Sequence, residues 1–351
     1  MSKIEMICSS IGGLDEAAAN AARLRQERLT KPPGSLGRLE ELAVRVAAIQ
    51  GKSRPEVADK AVFVMAADHG VAREGVSAYP QEVTAQMVYN FARGGAAINV
   101  LARQIGARVI VADLGVACDL EPHPQIFVKK IGYGTRSLAC GPAMSREEAG
   151  RAIEAGIEIC EAELKQGLQL AGTGDMGIGN TTASAAIAAA CCGLPVEQVV
   201  GRGTGVDDAR LAAKIVVITR SLEINRPDPC DPIDVLAKVG GYEIGGLAGV
   251  ILAAAAHRVP VVIDGFISGA AALIAVGLEP KVKEFLIAGH VSKEPGHRKI
   301  LEQMGLQPLL DLEMRLGEGT GAVLAMGIVE AAVRLLNEMA TFDEAGVAEA
   351  I

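Results

Sequence analysis

Ala61-Val-Phe-Val-Met-Ala-Ala67, followed directly by Asp68-His69-Gly70, is an unbroken apolar run that ends on a polar cluster. A run this short, closed by a glycine, reads as a strand buried on both faces. The same form recurs at residues 108–112, 127–131, 168–171, 259–263 and 285–288, with longer helical patterns between most of the runs. Such alternation predicts an α/β fold, a parallel sheet covered by helices on both faces. Polar residues and glycines gather just after the runs: Asp113-Leu114-Gly115, Gly172-Thr173-Gly174, Asp264-Gly265-Phe266 and Gly289-His290 join Asp68-His69-Gly70. Ligands of open α/β sheets bind outside the carboxyl ends of the strands, so these segments are expected to face one crevice.

Outward from the sheet, the chain is helical at both ends. Leu36, Leu39, Leu42, Ala43, Val46 and Ile49 recur at helical spacing after the punctuation Pro32-Pro33-Gly34-Ser35. A polar link at 51–59 marks a boundary, and another helix runs from Gly321 through Leu336. The termini are therefore expected to pack together as a small helical domain, residues 1–58 with 332–351, beside an α/β domain at 59–331. The tail at 341–351 is expected to be peripheral.

Composition limits the function. Of 351 residues, 50% are hydrophobic and only 3% aromatic, with no Trp, so the core must be built from small aliphatic side chains. Few aromatic faces and a net charge of −8 argue against a nucleic-acid binder, which needs stacking platforms and a basic surface. Seven cysteines without a C-x-x-C pair read as reduced thiols, and no histidine spacing suggests a metal site. The first twenty residues lack the apolar stretch of a signal peptide. The uncharged run at 176–196 is Ala-rich with polar residues at its start, which fits a buried helix better than a membrane span. A soluble, cytoplasmic protein is expected.

Three glycine-rich segments could carry chemistry. Gly172-Thr-Gly-Asp-Met-Gly-Ile-Gly-Asn-Thr-Thr182 precedes the Ala-rich helix, and amides at a helix start attract phosphate. It contains G-x-G-x-x-G, yet the acidic residue of a dinucleotide site about 20 residues later is missing. It also approximates a P-loop with Asn180 in place of lysine, which favours a monophosphate over a triphosphate. The bland alternative is a tight strand-to-helix turn. In Gly201-Arg-Gly-Thr-Gly-Val-Asp-Asp208, the two aspartates suit a helix cap, and Lys214 on that helix either reaches back to a phosphate or points to solvent. In Arg315-Leu-Gly-Glu-Gly-Thr-Gly321, Glu318 is unusual for a plain turn; in an apolar crevice its pKa would rise toward that of a general base. Asp68 and Asp264 are placed for structural hydrogen bonds to loop amides or for catalysis. No G-x-S-x-G or Ser/His/Asp set occurs.

Seven segments in order resemble the nicotinate-nucleotide:dimethylbenzimidazole phosphoribosyltransferase family: LTKPPGSLGRLEELA from Leu29, AADHGVAREGVSAYPQEVTAQMV from Ala66, GDMGIGNTT from Gly174, GRGTGVDD from Gly201, DGFISGAAAL from Asp264, HVSKEPGH from His290 and RLGEGTGAVLA from Arg315. The resemblance implies a Rossmann-like parallel sheet, a helical domain drawn from both termini, and a homodimer. It implies a reaction without cofactor or metal, in which nicotinate mononucleotide and 5,6-dimethylbenzimidazole give α-ribazole 5′-phosphate and nicotinate with inversion at C1′. It places Glu318 as proton acceptor, with Asp175, Gly177, Gly179, Asn180, Thr181, Gly203, Gly205 and Lys214 at the phosphoribosyl group. Tyr79, Gln86, Met87, Ser292 and Leu316 match the base pocket. Asp175 stands where the family commonly has Glu, Gly289 where Ser is usual, and Met87 at a variable position, so a purine or phenol is an alternative acceptor. A dinucleotide-dependent oxidoreductase or a non-catalytic nucleotide sensor would be the other readings.

Overall fold

The computed structural model describes residues 2–203 and 205–348. Six strands form one parallel sheet: β1 (Lys60–Ala67), β2 (Arg108–Gly115), β3 (Ile126–Val128), β4 (Leu170–Met176), β5 (Val261–Ile263) and β6 (Leu286–Ala288). Their spatial order is β3-β2-β1-β4-β5-β6, the doubly wound order in which the chain first builds one half of the sheet and then the other. All eight residues of β1 are buried, as a central strand covered on both faces requires. Its residues alternate between two cores. Ala61, Phe63, Met65 and Ala67 pack with the Arg146–Leu164, Tyr242–Ala256 and Phe266–Leu278 helices. Val62, Val64 and Ala66 join Val88, Ile98, Val323, Met326 and Val329 on the other face.

A core with so few aromatic residues leaves helices close together. Two of them meet backbone to backbone: a methyl on Gly156 would lie 1.8 Å from the Gly246 carbonyl oxygen, and one on Gly249 2.0 Å from that of Ile153. Only glycine permits that approach.

The strand expectations hold at each run, with two shifts. Gly172 and Gly174 lie inside β4, not in a loop after it. A methyl on Gly174 would stand 2.4 Å from the Glu318 carbonyl oxygen, so the missing side chain serves packing against the next layer. The run at 127–131 forms only the edge strand β3, although Lys129 and Ile131 still donate backbone hydrogen bonds to Asp113 and Leu114.

The ends of the chain meet. The Glu16–Arg28 and Arg38–Gln50 helices pack on the Thr320–Glu338 helix, and Leu29 bridges Thr341. Arg25 caps that helix by donating to the carbonyls of Leu336 at 2.7 Å and Met339 at 3.1 Å. Ala22, Leu42 and Val46 share one cluster with Val62 and Val64 of the sheet. Residues 349–351 of the tail lie outside the described residues. The Thr320–Glu338 helix is long and apolar enough to cross a bilayer, but its Val323, Met326, Val329 and Leu336 are buried against the sheet and the N-terminal helices. The Asn180–Cys192 helix is buried over most of its length, as expected for residues 176–196.

Candidate active site

A cavity of about 630 Å³ opens at the carboxyl ends of β1, β4, β5 and β6. The third glycine segment forms its floor. Gly317, Glu318 and Gly319 adopt φ of +83°, +62° and +93°, three left-handed residues in succession. This turn is built from three sides. Thr320 donates from its amide at 3.1 Å and its hydroxyl at 2.8 Å to the Gly317 carbonyl. Gly174 leaves room for the Glu318 backbone. Asp264, at the end of β5, accepts from the amides of Gly319 at 3.1 Å, Gly321 at 2.7 Å and Ala322 at 3.0 Å. A carboxylate there satisfies orphan donors and complements the helix dipole. Asp264 is thus structural, of the two roles its position allowed, and His290 stands 3.5 Å from it.

The turn presents the Glu318 side chain to the cavity, only 6% exposed. Its Oε2 accepts from the Ile98 amide at 3.2 Å. Burial pushes its carboxyl above the usual range; the Ile98 N–H opposes that, and the Asp264 charge adds to it. Asp175 lies on the adjoining wall. Its Oδ2 accepts from the Asn180 amide group at 2.8 Å, while Oδ1 has no partner among the described residues. Burial, with Asp264 and Glu243 nearby, holds this carboxyl well above its ordinary value.

The first two glycine segments meet across the cavity. Gly179, at φ +98°, starts the Asn180–Cys192 helix, whose Asn180 and Thr181 line the wall. Gly177 packs on the end of β1, where a methyl would lie 2.3 Å from the Ala67 carbonyl oxygen. Gly203 is gripped on both sides: its amide donates to Glu294 Oε1 at 2.9 Å, and its carbonyl accepts from Arg315 at 2.8 Å. Lys214 is fully buried, donating to the Thr181 hydroxyl at 2.7 Å and the Gly201 carbonyl at 3.4 Å. Burial lowers its pKa to about 8, against the pull of Glu294.

The structure brings together Glu318, Asp175, Gly177, Asn180, Thr181, Gly203, Tyr79, Met87, Ser292 and Leu316. Gly179, Gly205 and Lys214 stand outside the wall, Lys214 reaching it only through Thr181. Gln86 is exposed and turned away, because its helix points Val83 and Met87, one turn apart, at the cavity. Asp207 caps its helix by accepting from the Arg210 amide, the use expected of it. Asp68 accepts from the Ala117 amide, and His69 is buried on Glu243 at 2.6 Å beneath the Gly179 turn. Glu294, Arg315 and Ile98 had no role in the sequence reading. Glu294 follows the polar end of β6, a signal that could have found it; Ile98 carries none, since its contribution is a backbone amide.

Among the described residues, no three His, Cys, Asp or Glu side chains group to hold a metal ion. The site is a cavity with three buried carboxyl groups, Asp175, Glu294 and Glu318, a helix N-terminus and an apolar flank of Val83, Met87 and Leu316.

Residues 11–347 match the sequence pattern of a family described as Phosphoribosyltransferase. A nicotinate-nucleotide–dimethylbenzimidazole phosphoribosyltransferase of Desulforudis audaxviator is 63% identical over 340 residues, 97% of this chain and 96% of the relative. One of the same name from Geobacter sulfurreducens is 58% identical, covering 97% of each chain. The crystal structure of CobT from Thermus thermophilus superposes with a TM-score of 0.92 at 52% identity, covering 95% of this chain and all of that one. With its full-length match in sequence and in fold, the chain belongs to the nicotinate-nucleotide–dimethylbenzimidazole phosphoribosyltransferase family.

Proposed function

We propose that this enzyme transfers the 5-phosphoribosyl group of nicotinate mononucleotide to 5,6-dimethylbenzimidazole, giving α-ribazole 5′-phosphate and nicotinate for cobalamin nucleotide-loop assembly. The carrying observation is Glu318, a buried carboxylate held by a left-handed turn at the cavity floor. The C1′–pyridinium bond breaks with its electron pair passing to the nicotinate nitrogen, so the leaving group needs no acid. A benzimidazole nitrogen forms the new bond on the opposite face of C1′, and Glu318 accepts the proton from the other ring nitrogen. General-base assistance is worth about 10²–10⁴-fold. Holding sugar and ring in line supplies much of the rest.

The start of the Asn180–Cys192 helix, backed by Lys214 through Thr181, suits the phosphate. Met87, Leu316 and Tyr79 suit a flat methylated ring better than a charged one. A competition between dimethylbenzimidazole, a purine and a phenol, with products weighed by mass, decides the acceptor. Homodimerisation and a cytoplasmic location complete the reading. Exposed Tyr79 and Leu316 at the cavity support the first, checked by sedimentation. Seven free cysteines support the second.

The direct test is release of nicotinate from the mononucleotide with dimethylbenzimidazole. Glu318→Gln is expected to lower turnover by about 10²–10⁴-fold; near-normal turnover would remove Glu318 as the base. Activity is expected to fall as pH drops through the raised pKa of Glu318, because only the carboxylate accepts a proton.

A further inference from the structure

We infer that the backbone N–H of Ile98 is a positioning group for the transfer: it fixes one oxygen of Glu318 and leaves the other to take the proton. The inference rests on Glu318 acting as the base. Ile98 is the second residue of the Ala97–Ile105 helix, so its N–H has no partner within the helix and points out of the N-terminus. It donates to Glu318 Oε2 at 3.2 Å in a buried setting. Oε1 has no hydrogen-bond partner among the described residues, and the residue lines the cavity. Oε1 is therefore the oxygen open to the ring N–H.

The helix start cannot drift. Asn99, buried, accepts from the Ala96 amide at 3.1 Å and donates to the Phe91 carbonyl at 3.0 Å. The Ile98 side chain is fully buried in the cluster that contains Val323 and Met326 of the Thr320–Glu338 helix. The donor thus sits at the start of one helix and the acceptor on the turn that opens another, and the two helices pack on each other.

The charges around Glu318 give the N–H a second effect. Asp264 faces it from the end of β5, with His290 3.5 Å from that carboxylate, and Asp175 faces it from β4. Arg103, the charged residue of the Ala97–Ile105 helix, donates instead to the Gly94 carbonyl on the surface. Burial and the Asp264 charge both favour the protonated acid, and the Ile98 N–H favours the anion. It opposes the rise that burial imposes on the Glu318 carboxyl.

The test removes that one hydrogen. An amide-to-ester exchange at position 98, made by incorporating the hydroxy-acid analogue of isoleucine, deletes only the N–H. Ile98→Pro deletes it genetically, because the first turn of a helix tolerates proline. Ile98→Ala, which keeps the N–H and loses the side chain, is the control. In each, nicotinate release is followed as kcat/KM for dimethylbenzimidazole against pH; ionisation of the acceptor itself is common to all arms. The acid limb is expected to move up by about one to two pH units in the ester and proline enzymes, as loss of a charge-assisted hydrogen bond predicts, and to stay in place in Ile98→Ala. A limb in the ester enzyme that coincides with that of Ile98→Ala overturns the inference. Glu318→Gln separates the two failures: if it is inactive while the limb stays fixed, only the role of Ile98 falls, and if it turns over normally, the base assignment falls first.

Discussion

Four described non-glycine residues have positive φ: Arg226, Arg258, Glu313 and Glu318. Only Glu318 is buried, and it alone has glycines on both sides in the same conformation. A left-handed residue other than Gly, Asn or Asp costs roughly 1–2 kcal/mol, so the position holds glutamate at the expense of stability. Lys214 carries a comparable burden, with a readable sign. Its folded pKa of about 8 lies below the ordinary 10.5, because burial disfavours the charge. Below pH 8 folded and unfolded chains both hold the proton, and the cost, on the order of 3 kcal/mol, is fully present. Between about pH 8 and 10.5 the unfolded chain binds more protons, so this residue makes stability rise with pH. Urea unfolding across that range is expected to show the slope in the parent protein and to lose it in Lys214→Met.

At the scale of elements, the decisive joint is Asp264 at the end of β5, which ties the Glu318 turn to the start of the Thr320–Glu338 helix through three amides. Asp264→Ala leaves those donors buried without a partner. It is expected to cost on the order of 3 kcal/mol or more and to lower turnover along with stability. Thermal unfolding and nicotinate release check both. Asp264 was visible in the sequence as the polar end of an apolar run, and so was the whole set of strands, because burial on two faces leaves a plain mark. Glu318 was visible too, as a carboxylate between glycines. The grip of Glu294 and Arg315 on Gly203, and of the Ile98 amide on Glu318, was not. Those contacts join segments about 90 to 220 residues apart, and a backbone donor leaves no trace in side-chain identity. The extent of β4 was misjudged for a related reason: Gly172 and Gly174 look like loop residues until Met326 and Glu318 are seen pressing on them.

At the scale of the molecule, the order β3-β2-β1-β4-β5-β6 sets the cavity at the point between β1 and β4 where the winding reverses. Chains leaving these two strands diverge, and the loops after β5 and β6 close the remaining sides. The same small-residue core that permits this compact sheet puts Gly156, Gly246 and Gly249 where two helix backbones touch. Alanine at Gly156 would drive an atom into a carbonyl that has no room to retreat, with an expected loss of about 1–3 kcal/mol or more. A comprehensive mutational scan read by growth alone would therefore flag this helix crossing as sharply as Glu318, and invite its mistaken annotation as a second centre of chemistry. Scoring protein abundance beside turnover would part the two groups: crossing variants should vanish from the cell, whereas inert Glu318 variants should accumulate intact.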